Sequence, residues 1–218
     1  MAIFESLLGS YDGVVVREMD PVDAPDLSVL HPEEAALMKR AVEKRRKEFC
    51  AGRVLAREAL ESLGFAPAPL LRGDDRAPIW PSGAVGSITH TQGHCAAVVA
   101  RSGRIRAVGV DVEQATSLKQ GVYEAITTER ERRELEGDDA LRLGKVIFSA
   151  KECAYKAQYA LTQKYLPFSA MSVAIDAGGT WKATFNVPAG DFRPGDIIEG
   201  RFAYVGAFVA TATVLVGP

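Results

Sequence analysis

A chain of 218 residues, 47% hydrophobic and 25% charged, carries enough apolar material to bury a core as one domain or two small ones and is too hydrophobic for disorder. A formal charge of −2 gives no basic excess, so nucleic acid is not an expected partner and any anion site must be local. Cys50, Cys95 and Cys153 are odd in number and lack paired spacing, which argues against a disulfide framework or a structural zinc site and fits a reducing cytoplasm; no apolar run reaches the ~18 residues of a membrane span, and the first residues carry no basic leader.

Residues 33–48 are helix formers following Pro32, and 49–63 place Phe49, Gly52, Ala56, Leu60 and Leu63 on one helical stripe before Gly64, predicting a helical hairpin or one long bent helix. Proline and glycine then punctuate residues 65–86 into loops and short strands. Strands are predicted at 94–100 and 106–113, with residues 101–104 as a hairpin turn pairing them antiparallel. Residues 119–136 and 139–164 read as helices. From Met171 onward, 172–177, 181–187, 197–205 and 207–216 alternate apolar and polar residues as antiparallel strands do. The sum is an α+β protein. A helix-then-strands order occurs twice, in 33–113 and in 119–216, which permits two similar subdomains packed face to face.

In the strand Ala107 to Glu113 the side chains alternate, so that Val108, Val110 and Val112 face one side while Gly109, Asp111 and Glu113 face the other. Two acids at i and i+2 on one face repel unless a cation or basic partner sits between them. Magnesium, which takes one or two carboxylates together with waters and substrate phosphates, is the natural partner. An Asp-x-Glu at a strand end also occurs on solvated edges, and spacing alone leaves both readings open.

In the helix Phe148 to Ala157 the stripe Ile147, Ala150, Ala154, Ala157 and Leu161 is predicted to be buried. Glu152 and Lys156 fall nearly opposite it, with Phe148 and Tyr155 on the same outward half and Lys151 at its flank. The plain alternative is an ordinary i, i+4 Glu–Lys pair on a solvent face with two core aromatics beside it. His31 and His94 have neighbours that give them no chemical role.

The Gly109 to Glu113 strand followed by FSAKECAYKA resembles the paired signature of 4′-phosphopantetheinyl transferases, in the subgroup that activates siderophore, nonribosomal peptide and polyketide synthetases. Both family motifs, Gly-(Ile/Val)-Asp-x-Glu and (Trp/Phe)-x-x-Lys-Glu-x-x-x-Lys, are complete. KRRKEFCAGRVLAREAL is similar to the family's basic helix region and WPSGAVGSITHT to its Ser-(Ile/Leu)-(Thr/Ser)-His segment, so four blocks stand in family order over residues 39–169. The resemblance implies a pseudo-twofold α+β fold with halves at 1–105 and 106–218 and coenzyme A in the cleft between them.

It further implies Asp111, Glu113 and Glu152 as magnesium ligands. Glu152, Lys156 and Lys151 become the catalytic residues, the two lysines as phosphate and carrier-side contacts. Arg45, Arg53 and His90 become contacts to the 3′-phosphate and diphosphate of coenzyme A with Thr89 and Thr91 close by, and Arg72 and Arg76 candidates for the adenosine end. Arginine suits such a ligand because its planar fork binds phosphate oxygens in pairs; Arg45, Arg46, Arg53 and Arg57 lie in one helical region, which by itself could also be a solvated basic face.

The implied reaction is attack by a carrier-protein serine on the β-phosphate with 3′,5′-ADP leaving, Glu152 accepting the serine proton directly or through water. Residues 114–128 are the candidate docking loop for an acyl or peptidyl carrier protein, with Leu118, Val122, Tyr123 and Ile126 as apolar contacts or, equally, as core. A monomer is expected, because two halves in one chain complete the cleft. The competing readings are a magnesium-dependent phosphodiesterase, which transfers to water, a coenzyme A binding module without turnover, and, more remotely on charge grounds, nucleic-acid binding through the arginine-rich helix.

Overall fold

The structure, a computed structural model, describes residues 2–9, 11–135, 137 and 139–217. The first segment holds α1 (Ile3–Leu8), with Ile3, Phe4, Leu7 and Leu8 buried, and β1 (Val14–Met19), half-buried along its whole length. Pro32 opens α2 (Pro32–Ala36), at a position where its missing N–H is no loss, and after a turn α3 (Glu43–Ser62) follows. The helical stretch is thus broken in two. Phe49, Gly52, Ala56 and Leu60 are buried on α3 as predicted, with Leu63 half-buried beyond its end.

That face rests on an antiparallel sheet of order β1–β3–β2, completed by β2 (Ala84–Thr91) and β3 (His94–Arg101). Both edges of β3 are therefore taken, which overturns the predicted hairpin: β4 (Ile105–Gln114) belongs to another sheet, beside β8, and an isolated bridge joins Ser102 to Ile105.

The helix predicted at 119–136 is two, α4 (Gln120–Ile126) and α5 (Glu129–Glu134). The break falls at Thr127–Thr128, where the Thr128 hydroxyl accepts from Glu131 N and Glu131 returns the bond to Thr128 N, a capping box that stabilises a new start over continuation. Then come α6 (Ala140–Thr162), β5 (Met171–Ile175), β6 (Thr180–Phe185), β7 (Ile197–Val205) and β8 (Phe208–Val216), in a sheet of order β4–β8–β7–β6–β5. Ile147, Ala150 and Ala154 of α6 join Trp181, Phe185 and Ile198 of the sheet in one core. Among the described residues no helix is long and apolar enough to cross a membrane.

Two compact units result, Met1–Val108 with Val216–Pro218, and Gly109–Leu215, so the division falls inside β4. Each is organised around the same device. In the first, Glu34, at the third position of α2 and wholly buried, accepts from His31 N (3.0 Å), Leu70 N (2.9 Å) and the Arg57 guanidinium of α3 (2.5 Å). In the second, Glu131, at the third position of α5 and 1% exposed, accepts from Thr128 N (2.6 Å), Val173 N (2.6 Å) and the Lys151 ammonium of α6 (2.8 Å). A short helix, a long helix and the next extended segment are pinned by one carboxylate in each case.

Removing one partner of a buried pair strands the other charge, at about 3–5 kcal/mol. Glu131→Ala is expected to lower the unfolding free energy by about that amount, seen as a fall in the denaturant midpoint at unchanged slope.

Candidate active site

Gly109 sets the geometry of the second unit's site. A Cβ there would run into the backbone carbonyl of Cys153, so α6 lies directly on β4 with no side chain between them. The Cys153 thiol donates to Gly109 O (3.1 Å) and Lys156 Nζ to Val110 O (2.9 Å), which fixes the crossing. The valines of β4 point the other way and are buried, leaving Asp111 and Glu113 beneath the helix.

Asp111, 5% exposed, is held from both sides: Lys156 Nζ donates to Oδ1 (2.8 Å) and Ser149 Oγ to Oδ2 (2.8 Å). Thr211 of β8 donates to Ser149 O (3.0 Å), tying the serine's turn of helix to the sheet. Lys145 Nζ reaches Glu113 Oε2 at 3.4 Å. Burial first, and Asp111 next, push the Glu113 carboxyl up, with Lys145 and Lys156 opposing. For Glu152 burial again comes first; Lys156 opposes, and Asp111 and Glu113 raise it further. The three acids thus share one electrostatic neighbourhood. For Lys156, burial would depress the ammonium, but Asp111 and Glu152 reverse this and hold it above the ordinary lysine value.

Glu152 also borders a cavity of about 250 Å³ lined by Tyr155, Tyr165, Leu166, Phe168 and Met171. Tyr155 stands between Tyr159 and Tyr165, with ring centroids 5.5 and 6.2 Å away, while Phe148 packs on Phe168 at 5.6 Å.

Lys151 corrects the sequence reading. Its expected place at the flank of the outward face, as a phosphate contact, is not where it lies: it is 1% exposed, and its ammonium donates to Ile126 O (2.8 Å), Glu131 Oε2 (2.8 Å) and Phe168 O (2.9 Å). Three donors with three protein acceptors leave none for a phosphate. Leu118, Tyr123 and Ile126 of the expected docking loop are likewise buried in the core, and of the four only Val122 is exposed. Lys145 and Ser149 escaped the sequence reading, although 145, 149, 152 and 156 form a second, polar stripe at helical spacing that periodicity could have revealed.

In the first unit α3 and β2 bring Arg45 and His90 together, Arg45 Nη1 lying 2.7 Å from His90 Nε2. Glu48 Oε2 stands 3.5 Å from Arg45 Nη1 and 3.7 Å from His90 Nδ1. Gly52 permits this approach, since a Cβ there would press on Ile88, the residue of β2 on the same face as His90. Arg53, 5% exposed, stacks on Phe49 at 4.4 Å, and its buried Nε has no hydrogen-bond partner among the described residues. Burial holds its guanidinium down to about 10; Glu34 opposes, while Arg45, Arg72 and Arg57 add to the depression. Arg72 lies in the loop bridging to Pro78, and Arg76 is exposed at the tip of that turn with a left-handed φ of 69°.

Thr89 and Thr91 do not join His90. Strand alternation turns them to the opposite face of β2, and Thr89 is 3% exposed there. Arg46 and Arg57, part of the same basic run, are structural: Arg46 donates to Met38 O and Lys39 O, Arg57 to Glu34 and Val29 O.

Among the described residues no three His, Cys, Asp or Glu side chains stand together as a group that holds a metal ion, Asp111 and Glu113 being engaged by Lys156, Ser149 and Lys145. The donors are still of the kind a hard cation takes: carboxylate oxygens, with Glu113 and Glu152 raised by burial first and by neighbouring acids after it, and the Cys153 sulfur turned away to Gly109.

An α+β chain with an acid–lysine cluster beside a cavity, and a separate arginine–histidine cluster, has the make-up of an enzyme for a phosphate-bearing substrate. Comparison with known proteins is specific. Residues 33–100 match the family model of the 4′-phosphopantetheinyl transferase N-terminal domain, and residues 107–199 that of the 4′-phosphopantetheinyl transferase superfamily. Similar proteins include the 4′-phosphopantetheinyl transferase Svp of Streptomyces mobaraensis, 43% identical over 93% of this chain and 86% of the relative, and 4′-phosphopantetheinyl transferase PptT of Mycobacterium tuberculosis, 39% identical over 88% of each. Enterobactin synthase component D of Escherichia coli O157:H7 is 34% identical over 64% of this chain and 68% of its own. The chain belongs to the 4′-phosphopantetheinyl transferase family.

If the Gly109 contact sets the site, Gly109→Ala should force α6 off β4 and cost about 1–3 kcal/mol of stability, the usual scale of overpacking. Catalytic rate should fall further than the loss of folded protein explains, measured on material shown to be folded by circular dichroism.

Proposed function

We propose that this protein transfers the 4′-phosphopantetheine group of coenzyme A to a serine of an apo acyl or peptidyl carrier protein, releasing 3′,5′-ADP, and that it does so as a cytoplasmic monomer. The observation that carries the reading is the gathering of Asp111, Glu113 and Glu152 with Lys156 and Lys145 at the β4–α6 crossing, in a chain of this family. Asp111, Glu113 and Glu152 are the residues that would hold Mg2+, which when bound neutralises charge on the diphosphate.

The serine oxygen forms a bond to the β-phosphorus as the bond to the 3′,5′-ADP oxygen breaks. Glu152, in the electrostatic neighbourhood of Lys156, Asp111 and Glu113, takes the serine proton directly or through a water. Lys156, anchored on Asp111 and Val110 O and partly exposed, offers positive charge to the diphosphate. The cavity beside Glu152, walled by Tyr155, Tyr165, Leu166 and Met171, suits the thinly polar pantetheine arm.

In the first unit Arg45, Arg53 and His90 supply donors for the 3′-phosphate and diphosphate, with Arg72 and Arg76 toward the adenosine end, and the buried Nε of Arg53, unpartnered among the described residues, is a donor that an anion would satisfy. A relative named enterobactin synthase component D makes the carrier of a siderophore synthetase one substrate to try.

The test is a panel of apo carrier proteins incubated with coenzyme A and magnesium and read by mass spectrometry. A phosphopantetheine adduct on one serine is expected, lost on chelation of the metal; release of 3′,5′-ADP without an adduct would point to hydrolysis instead. Glu152→Gln should abolish loading while coenzyme A binding stays measurable by calorimetry, and full turnover in that variant would refute its role. Lys156→Ala should slow loading less severely, because Lys145 lies on the same polar stripe and can partly substitute.

A further inference from the structure

The Arg45–His90 contact fixes where a proton sits. A guanidinium can only donate, so at 2.7 Å from Arg45 Nη1 the His90 Nε2 must be the acceptor; the imidazole is then neutral, with its proton on Nδ1 facing Glu48 Oε2 at 3.7 Å. In this state His90 has no Nε2–H to offer an anion, and one Arg45 proton is engaged by the ring. Two donors nominally available to a phosphate are satisfied by each other.

We propose that Glu48 is a positioning residue for phosphate binding: it holds Arg45 and His90 in a self-contact that a phosphate opens, His90 gaining a proton on Nε2 from solvent as it does so. This rests on the reading that Arg45 and His90 receive a phosphate of coenzyme A. Entry of a phosphate oxygen redirects the Arg45 proton to the ligand, and the new Nε2–H becomes a second donor. Glu48 then faces the Nδ1–H of an imidazolium, the charge state its carboxylate favours.

Several charged and titratable groups stand close to His90. From α3 come Arg45 and Glu48, with Lys44 behind Glu48 at 3.9 Å. From β3 comes Cys95, paired across from His90, whose thiol burial and then Glu48 push up to about 12, so it stays neutral. Without ligand the Arg45 charge opposes a second positive charge on the ring; a phosphate dianion removes that opposition.

The measurement is calorimetric titration of coenzyme A into the whole protein near pH 8, in buffers of different ionisation enthalpy. A phosphate monoester loses its second proton at about pH 6 and so brings none. Wild type should take up close to one proton per coenzyme A, and its dissociation constant should rise with pH by up to about tenfold per unit. Dephospho-coenzyme A should bind without uptake if the 3′-phosphate is the one that meets His90, and with uptake if the diphosphate does. His90→Asn should still bind, more weakly, with no uptake. Glu48→Gln should weaken binding and reduce the uptake, a change that a purely structural role would not produce. Coenzyme A binding with no proton uptake in wild type, or with uptake unchanged in His90→Asn, overturns the proposal and leaves the coenzyme A reading standing. No binding by folded wild type removes both. Should His90→Asn not fold, the ring-nitrogen NMR signals of wild-type His90 before and after coenzyme A give the same answer: an unchanged neutral pattern overturns the proposal.

Discussion

The second unit of this molecule is organised by a contact with no side chain in it. Where α6 crosses β4, Gly109 lets the helix backbone settle against the strand, and Cys153 and Lys156 seal the crossing by donating to strand carbonyls. Only at that separation can a short serine reach Asp111 and a lysine span two strand acceptors. Acids separated by some forty positions in the chain become neighbours because one residue lacks a Cβ. Burial first, and the neighbouring acids after it, raise the Glu113 and Glu152 carboxyls at this crossing.

A second constraint sorts the charges of α6 by function. Lys151 and Lys156 differ by five residues, so they leave the helix on different sides. Lys151 enters the interior, where Glu131 and two carbonyls consume its donors, while Lys156 stays at the crossing with Asp111 and part of its surface in water. Glu131 therefore anchors the helix without touching the chemistry. The first unit repeats the plan with Glu34 and Arg57, and its long helix likewise carries two other cations, Arg45 against His90 and Arg53 over the Phe49 ring. Matching carboxylate anchors at the third position of a short helix are a sign of two similar halves that hydrophobic patterning alone does not give.

The fold class, the long helices and the four C-terminal strands were legible because each carries a clean period, and the two acid motifs were legible because alternation and helical spacing fix their faces. What escaped was set by partners distant in sequence. β1 has no buried–exposed alternation, and β2 carries small and polar residues on its more buried side, so neither announces a strand. The hairpin failed because β3 already had neighbours on both edges, a fact that resides in residues 14–19 and 84–91 rather than in the turn. Lys151 and Lys156 look alike in the motif; only the position of Glu131 shows that one is buried, and nothing local to Lys151 encodes it. Thr89 and Thr91 were misplaced for a simpler reason, a period of two overlooked along a strand.

Cys153 occupies the crossing itself, fully buried and raised by that burial above the ordinary thiol range, with its S–H given to Gly109 O. A thiol so placed is silent toward alkylating reagents while the helix lies on the strand and becomes reactive when it lifts. Its capture rate under native conditions is therefore a clock for the opening of that seam. Cys50 and Cys95, equally hidden in the other unit, keep time for theirs, so the sequence already contains a separate gauge of motion for each half of the chain.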